Sequence, residues 1–271
     1  MKIQLELELT KHCNLKCPYC CASSNTKIKD LRTDLEKYNL YRRVLETLNE
    51  KPHDYEVRLM GGEPTLFSFF NDLVKFTNTL SDRFSLNVFT NGTKKIYGKF
   101  NVTTSFHTKY HNLSYKILKN LELVEGNKIL NFLIDNDIWK RILERDSEIL
   151  NYIKLFKKDF FVHPQFIFQL NDKRENILKC LDIFRDLGVQ EYFENICNYR
   201  ENLNKFFSNK SLVCCTNCFQ IQEDGTLHND CEGKGLSINL FENFDISCIK
   251  PSKTICKKRE CFYDNCAYNF N

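Results

Sequence analysis

Over the first two-thirds of this 271-residue chain, short apolar runs with strand spacing alternate with longer stretches of helical spacing, which leaves few folds open. Ile3–Leu9 reads as a strand, mixed apolar and acidic. Leu35, Leu40, Val44, Leu45 and Leu48 have helical spacing behind Thr33 and Glu36, a capping box. Tyr55–Met60 is a second strand, and Phe70, Leu73, Val74, Thr77 and Leu80 line the next helix. Ser85–Thr90 and Val102–Phe106 are strands joined by a short loop without a helix signal. A helix at about 112–123, a strand Ile129–Ile134 and one helical stretch through Trp139, Ile142, Leu143, Leu150 and Ile153 follow. Phe160–Phe168 is the sixth strand, and the helix carrying Ile177, Leu178, Leu181 and Phe184 ends at Gly188 as a C-cap. Such repeats argue for a mostly parallel sheet, with ligands bound at the carboxyl ends of its strands.

From about residue 190 the texture changes to short polar segments, turns and dense cysteine. The predicted organisation is a core domain over 1–195 and a small cysteine-rich domain over 205–271. No apolar run approaches the ~18 residues that span a bilayer, and no secretory signal opens the chain. A net charge of +4, with 39 cationic residues scattered among 35 anionic ones, argues for neither nucleic acid nor membrane. A cytoplasmic location is expected. Fourteen cysteines are the outlier. A chain this long without an export signal has little need of disulfide staples, so many thiols point to metal. Four fall at residues 13–21 and eight at 214–266, with Cys180 and Cys197 isolated between as ordinary thiols.

The first group reads Cys13-Asn14-Leu15-Lys16-Cys17-Pro18-Tyr19-Cys20, directly after strand one. Three thiolates leave one iron of a four-iron cluster open to a ligand; a zinc site completed from elsewhere is the other reading of this spacing. Strand two ends Met60-Gly61-Gly62-Glu63-Pro64, where two glycines let the backbone approach a ligand and Glu63 adds a negative charge. Strand three ends Phe89-Thr90-Asn91-Gly92 and strand four Thr104-Ser105-Phe106-His107. In the tail, Cys214-Cys215-Thr216-Asn217-Cys218 precedes Asp224-Gly225, a hairpin signal, then Cys231, Cys248 and Cys256-X4-Cys261-X4-Cys266.

The triplet followed one βα unit later by Gly-Gly-Glu-Pro resembles the radical S-adenosylmethionine (radical SAM) family, and the tail resembles its auxiliary-cluster domains, called twitch or SPASM. The resemblance implies an α/β fold, a partial (β/α)6 barrel with a small C-terminal cluster domain. It implies an enzyme that reductively cleaves SAM to a 5'-deoxyadenosyl radical and abstracts hydrogen from a substrate. Cys13, Cys17 and Cys20 would hold the 4Fe-4S cluster; Gly61, Gly62 and Glu63 would orient the SAM amino group. Tyr19 would lie against adenine, and Asn91 and Ser105 would contact SAM; His107 would face substrate or brace its loop, and His12 would support the cluster loop. The ligands of at least one auxiliary 4Fe-4S cluster would come from Cys215, Cys218, Cys231, Cys256, Cys261 and Cys266. The implied partners are an electron donor such as flavodoxin or ferredoxin and a ribosomally made peptide. Because the cluster loop begins at residue 13, a separate leader-binding protein, or none, is expected. A small-molecule substrate is the alternative, as in cofactor-precursor or sugar-alcohol enzymes, and a zinc-binding interaction protein the remote one.

Overall fold

The computed structural model describes residues 2–17, 20, 32–109, 113–166, 174–189, 212–215, 218–228, 237–250 and 253–256. They fall into two compact units, Met1–Phe89 with Arg200–Asn271, and Thr90–Tyr199. Parallel strands with intervening helices give the α/β class read from the sequence.

The first unit opens with β1 (Lys2–Thr10), α1 (Asp34–Asn49), β2 (Asp54–Gly61), a 3-10 turn at Pro64–Leu66, α2 (Phe70–Thr77) and β3 (Phe84–Thr90). β1 pairs parallel with β2, and β2 with β3. Alternation decides the faces: Ile3, Leu5, Leu7, Leu9, Tyr55, Val57 and Leu59 are all fully buried on one side. Thr33 and Glu36 form the predicted capping box of α1. The helix buries Leu40, Tyr41, Val44, Leu45 and Leu48, each worth about 1.5–3 kcal/mol for a full aliphatic or aromatic side chain. The Tyr41 hydroxyl donates to the Glu8 carbonyl at 2.8 Å and ties helix to strand. Leu35, expected on the buried stripe, is 50% exposed, while Lys37 is 4% exposed. The lysine is drawn inward by a carboxylate that no local pattern could reveal, Glu223.

The second unit contains β4 (Asn101–Phe106), α3 (Leu113–Leu121), β5 (Lys128–Ile134), α4 (Asn136–Leu143), α5 (Ser147–Phe156), β6 (Phe161–Phe166) and α6 (Arg174–Asp186). β4, β5 and β6 form a parallel ladder. The single helical stretch expected through 139–153 is two helices. Arg145 takes a left-handed φ of 56°, and Asp146 caps α5 by accepting from the Glu148 and Ile149 amides at 2.9 and 3.4 Å. Capping by Asp outweighed continuity of the apolar stripe. Phe106 packs against Phe132 and Phe156, and Phe132 against Phe184. Gly188, at φ 78°, ends α6 as predicted, its amide donating to the Arg185 carbonyl at 2.8 Å.

The tail adds β7 (Leu212–Cys215), β8 (Cys218–Ile221), β9 (Thr226–His228), β10 (Ser237–Asn239) and β11 (Lys253–Cys256). β8 runs parallel to β1, from Gln4 opposite Cys218 to Leu7 opposite Ile221, so this segment extends the first unit's sheet. The predicted Asp224-Gly225 turn joins β8 to antiparallel β9, with Gly225 at φ 81°. β7 and β11 pair as a separate two-stranded ribbon. Among the described residues no helix is long and apolar enough to cross a membrane.

Candidate cofactor site

Where β1 stops, the cysteine loop begins, and the end of β2 lies directly against that junction. The Gly62 amide donates to the Thr10 carbonyl at 2.6 Å and the Glu63 amide to the His12 carbonyl at 2.8 Å. A Cβ on Gly61 would sit 2.3 Å from the Thr10 oxygen, and one on Gly62 2.3 Å from the His12 oxygen. The two glycines are thus required by backbone meeting backbone, a constraint additional to any ligand. Glu63 is fully buried; its Oε1 accepts from the Thr65 amide at 3.2 Å and hydroxyl at 2.6 Å, capping the 3-10 turn.

Cys13 and Cys17 are half-buried and Cys20 is exposed. The Leu15 amide donates to Cys13 Sγ at 3.4 Å, and the Cys20 amide to the Cys17 carbonyl at 3.2 Å. Burial, and then the neighbouring Cys13 and Cys20, push the Cys17 thiol up to about 11. Cys13 and Cys20 therefore lie close enough to Cys17 to disfavour its ionisation. Among the described residues no group of three His, Cys, Asp or Glu is arranged to hold a single metal ion. Three neighbouring thiols on one short loop suit a multi-iron cluster, whose positive irons stabilise thiolates.

The sheet face opposite the apolar one carries a polar row across six strands of the first unit. Register aligns Asn87, Arg58, Glu6, Gln220, His228 and Ser237 from β3 to β10. Arg58 Nε donates to Glu56 Oε1 at 2.9 Å and Nη1 approaches Glu6 Oε1 at 3.4 Å. Burial raises the Glu6 pKa, opposed by Arg58 and by a hydrogen bond with Cys218. The buried His228 Nδ1 makes no hydrogen bond among the described residues. Burying such groups costs free energy that an apolar face would not.

In the second unit, Asn91 Oδ1 accepts from the Thr93 amide at 3.0 Å and hydroxyl at 2.6 Å, fixing the turn after β3. Ser105 on β4 aligns with Asn131 on β5 and His163 on β6, and His163 Nδ1 lies 3.1 Å from Asn131 Oδ1. His107, just past β4, is buried, and desolvation pulls its pKa down to about 4. Cys180, also buried, donates toward the Trp139 carbonyl at 3.7 Å.

Of the tail cysteines, Cys218 is half-buried on β8 opposite Gln4. The β7–β11 ladder sets Leu212 opposite Cys256, Cys214 opposite Thr254 and Cys215 opposite Lys253. Tyr19, Cys231, Cys261 and Cys266 lie outside the described residues. Sequence reasoning missed Glu6 and Arg58, although the acidic positions alternating through Ile3–Leu9 carried the signal. It also missed Lys37 and Glu223, for which there was none.

No protein-family model matches the sequence, and no curated protein matches it. Solved structures do. One is hexahistidine-tagged anSMEcpe with bound AdoMet (S-adenosylmethionine): 21% identity and a TM-score of 0.58 over 92% of this chain and 79% of that one. A second is native anSMEcpe with bound AdoMet and Cp18Cys peptide, at 21% identity and a TM-score of 0.55 over 87% and 75%. SuiB of Streptococcus suis, bound to precursor peptide SuiA, matches at 12% identity and a TM-score of 0.52 over 92% and 66%. At these identities the likeness establishes architecture: this chain has the α/β fold of those proteins.

Proposed function

We propose that this chain is a radical SAM enzyme acting on a peptide. The observation that carries the reading is the junction where the Gly61–Glu63 backbone bonds Thr10 and His12, immediately before Cys13, in a fold shared with a protein solved with AdoMet bound. Cys13, Cys17 and Cys20 would hold a 4Fe-4S cluster. When bound, that cluster supplies the electron that cleaves SAM reductively and yields a hydrogen-abstracting radical. This chain's residues bind and orient. The Gly61–Glu63 backbone, locked to Thr10 and His12, holds a fixed edge for the SAM amino group, and Glu63 keeps the turn rigid. Tyr19, Asn91 and Ser105 are the proposed further SAM contacts. The polar row offers donors and acceptors to the amide groups of a peptide, the class of ligand carried by two of the similar structures.

The region 205–271 would carry one auxiliary cluster, with ligands drawn from Cys215, Cys218, Cys231, Cys256, Cys261 and Cys266. An electron donor of the flavodoxin or ferredoxin kind completes the system. The test is deoxyadenosine formation from SAM and dithionite by anaerobically reconstituted protein. Cys17→Ala should abolish it, and undiminished turnover would refute the assignment. Mass spectrometry of a peptide coexpressed from a neighbouring gene tests the substrate class.

A further inference from the structure

The segment from Lys11 to Arg32 contains the cysteine triplet, and one distant turn grips both of its ends. That turn, Gln222–Gly225, joins β8 to β9. On one side, Glu223 Oε2 accepts the Lys11 backbone amide at 3.0 Å, across 212 positions of sequence. The other oxygen, Oε1, accepts Lys37 Nζ at 2.6 Å, with side-chain exposures of only 5% for the lysine and 10% for the glutamate. The Glu223 amide donates to Glu8 Oε2 at 3.3 Å, anchoring the turn to β1. On the other side, Arg32 Nη1 donates to the Asp224 carbonyl at 3.1 Å while its guanidinium lies 4.2 Å over the Phe241 ring. A Cβ on Gly225 would stand 2.3 Å from that same ring, so the turn packs closely against what Arg32 stacks upon.

We infer that Glu223 is a positioning residue and that the β8–β9 turn is a clasp on Lys11 and Arg32, the described residues on either side of the cysteine triplet. The loop's capacity to hold a cofactor then depends on the tail as well as on its own three thiols. This rests on reading Cys13, Cys17 and Cys20 as cluster ligands and adds what fixes their geometry. The chemistry suits the task. A carboxylate with two lone-pair edges takes a backbone amide on one oxygen and a buried ammonium on the other, which fixes its own orientation. Neither a hydroxyl nor a neutral amide side chain would neutralise Lys37 there.

The test uses the full-length apoprotein and the rate at which iodoacetamide labels each cysteine, read by peptide mass spectrometry. The double variant Glu223→Ala with Lys37→Met removes both charges together, so no buried ion is stranded. It leaves the Lys11 amide without its acceptor, and labelling of Cys13 and Cys17 should accelerate about tenfold or more, the weight of one hydrogen bond to a charged group. Cys180, buried in the second unit, should stay protected and so reports intact folding. Glu223→Gln with Lys37→Met keeps an acceptor oxygen for Lys11 and should label at nearly the wild-type rate. Should the Ala double variant fail to fold, Arg32→Met releases the other end without touching the ion pair and should accelerate labelling likewise. Unchanged Cys13 and Cys17 rates in a folded release variant overturn the clasp. After anaerobic reconstitution, the SAM concentration that half-saturates the change in the electron paramagnetic resonance signal should rise about tenfold in the release variant. If wild-type protein takes up no iron, the cluster assignment falls, and the labelling rates still decide whether the clasp exists.

Discussion

Gly62→Ala is the sharpest probe of the junction between β2 and the cysteine loop. The added methyl would meet the His12 carbonyl oxygen at 2.3 Å and its carbon at 2.6 Å, both backbone atoms with no rotamer to yield. Relief requires moving the two chains apart, which disrupts the Gly62–Thr10 and Glu63–His12 hydrogen bonds. Each is worth about 0.5–1.5 kcal/mol net, and a buried group left unpaired adds about 1–3 kcal/mol. A total of about 2–6 kcal/mol follows, lost locally. Hydrogen exchange on the apoprotein reads this directly: the Gly62 and Glu63 amides should exchange about 30-fold faster or more at about 2 kcal/mol. Gly188→Ala is the comparison. Its φ of 78° carries strain, yet among the described residues the only atom near the new methyl is the flexible Lys157 Nζ at 3.0 Å. It should cost about 1–2 kcal/mol and leave the Gly62 segment untouched. Wild-type exchange at Gly62 and Glu63 in the Gly62→Ala protein would show that the close approach does not constrain this junction.

Lys37→Met alone strands the Glu223 carboxylate and should destabilise the fold by about 3–5 kcal/mol, whereas adding Glu223→Met should recover most of it; a single-variant loss below about 1 kcal/mol in urea titration would equate the pair with a surface bridge. His107 is held near 4 in the folded chain against 6.5 unfolded, so the unfolded state gains its proton first as pH falls. Stability should decline from about pH 6.5 to pH 4, by roughly 3 kcal/mol, with no contribution above that window; His107→Asn should flatten this part of the pH–stability curve. A Cys13/Cys17/Cys20→Ala triple variant should retain about four irons per chain after reconstitution if the tail holds its own cluster. Recovery of zinc, or of no metal, would remove that cluster.

Local chemistry made much of the fold legible. The Thr33–Glu36 capping box, the Gly188 terminus and the Asp224-Gly225 turn each rest on one or two residues whose backbone preferences are strong, and each stands where predicted. The break between α4 and α5 was missed because Leu143, Leu150 and Ile153 continue an apolar stripe across it. Only the Arg145–Asp146 geometry, an αL residue followed by a capping carboxylate, ends one helix and starts another. The glycines of Met60-Gly61-Gly62-Glu63 signal a close approach in the sequence, and among the described residues the atoms nearest them are backbone atoms of Thr10 and His12. Two strands distant in sequence meet there, so nothing local disclosed it. The placement of β8 against β1 was illegible for the same reason. A four-residue strand, Cys218–Ile221, says nothing of which edge it will join.

That placement has a consequence for how the chain is made. β1 is synthesised before its neighbour on one side, Cys218–Ile221, which comes more than 200 residues later. At about 5–20 residues per second, roughly 10–40 seconds pass with one margin of the nascent sheet lacking its partner. Unsatisfied amides and carbonyls on such a margin invite stray pairing between chains. Yield in a heterologous host should accordingly respond to slower induction, lower temperature and chaperone supply more than to codon changes upstream.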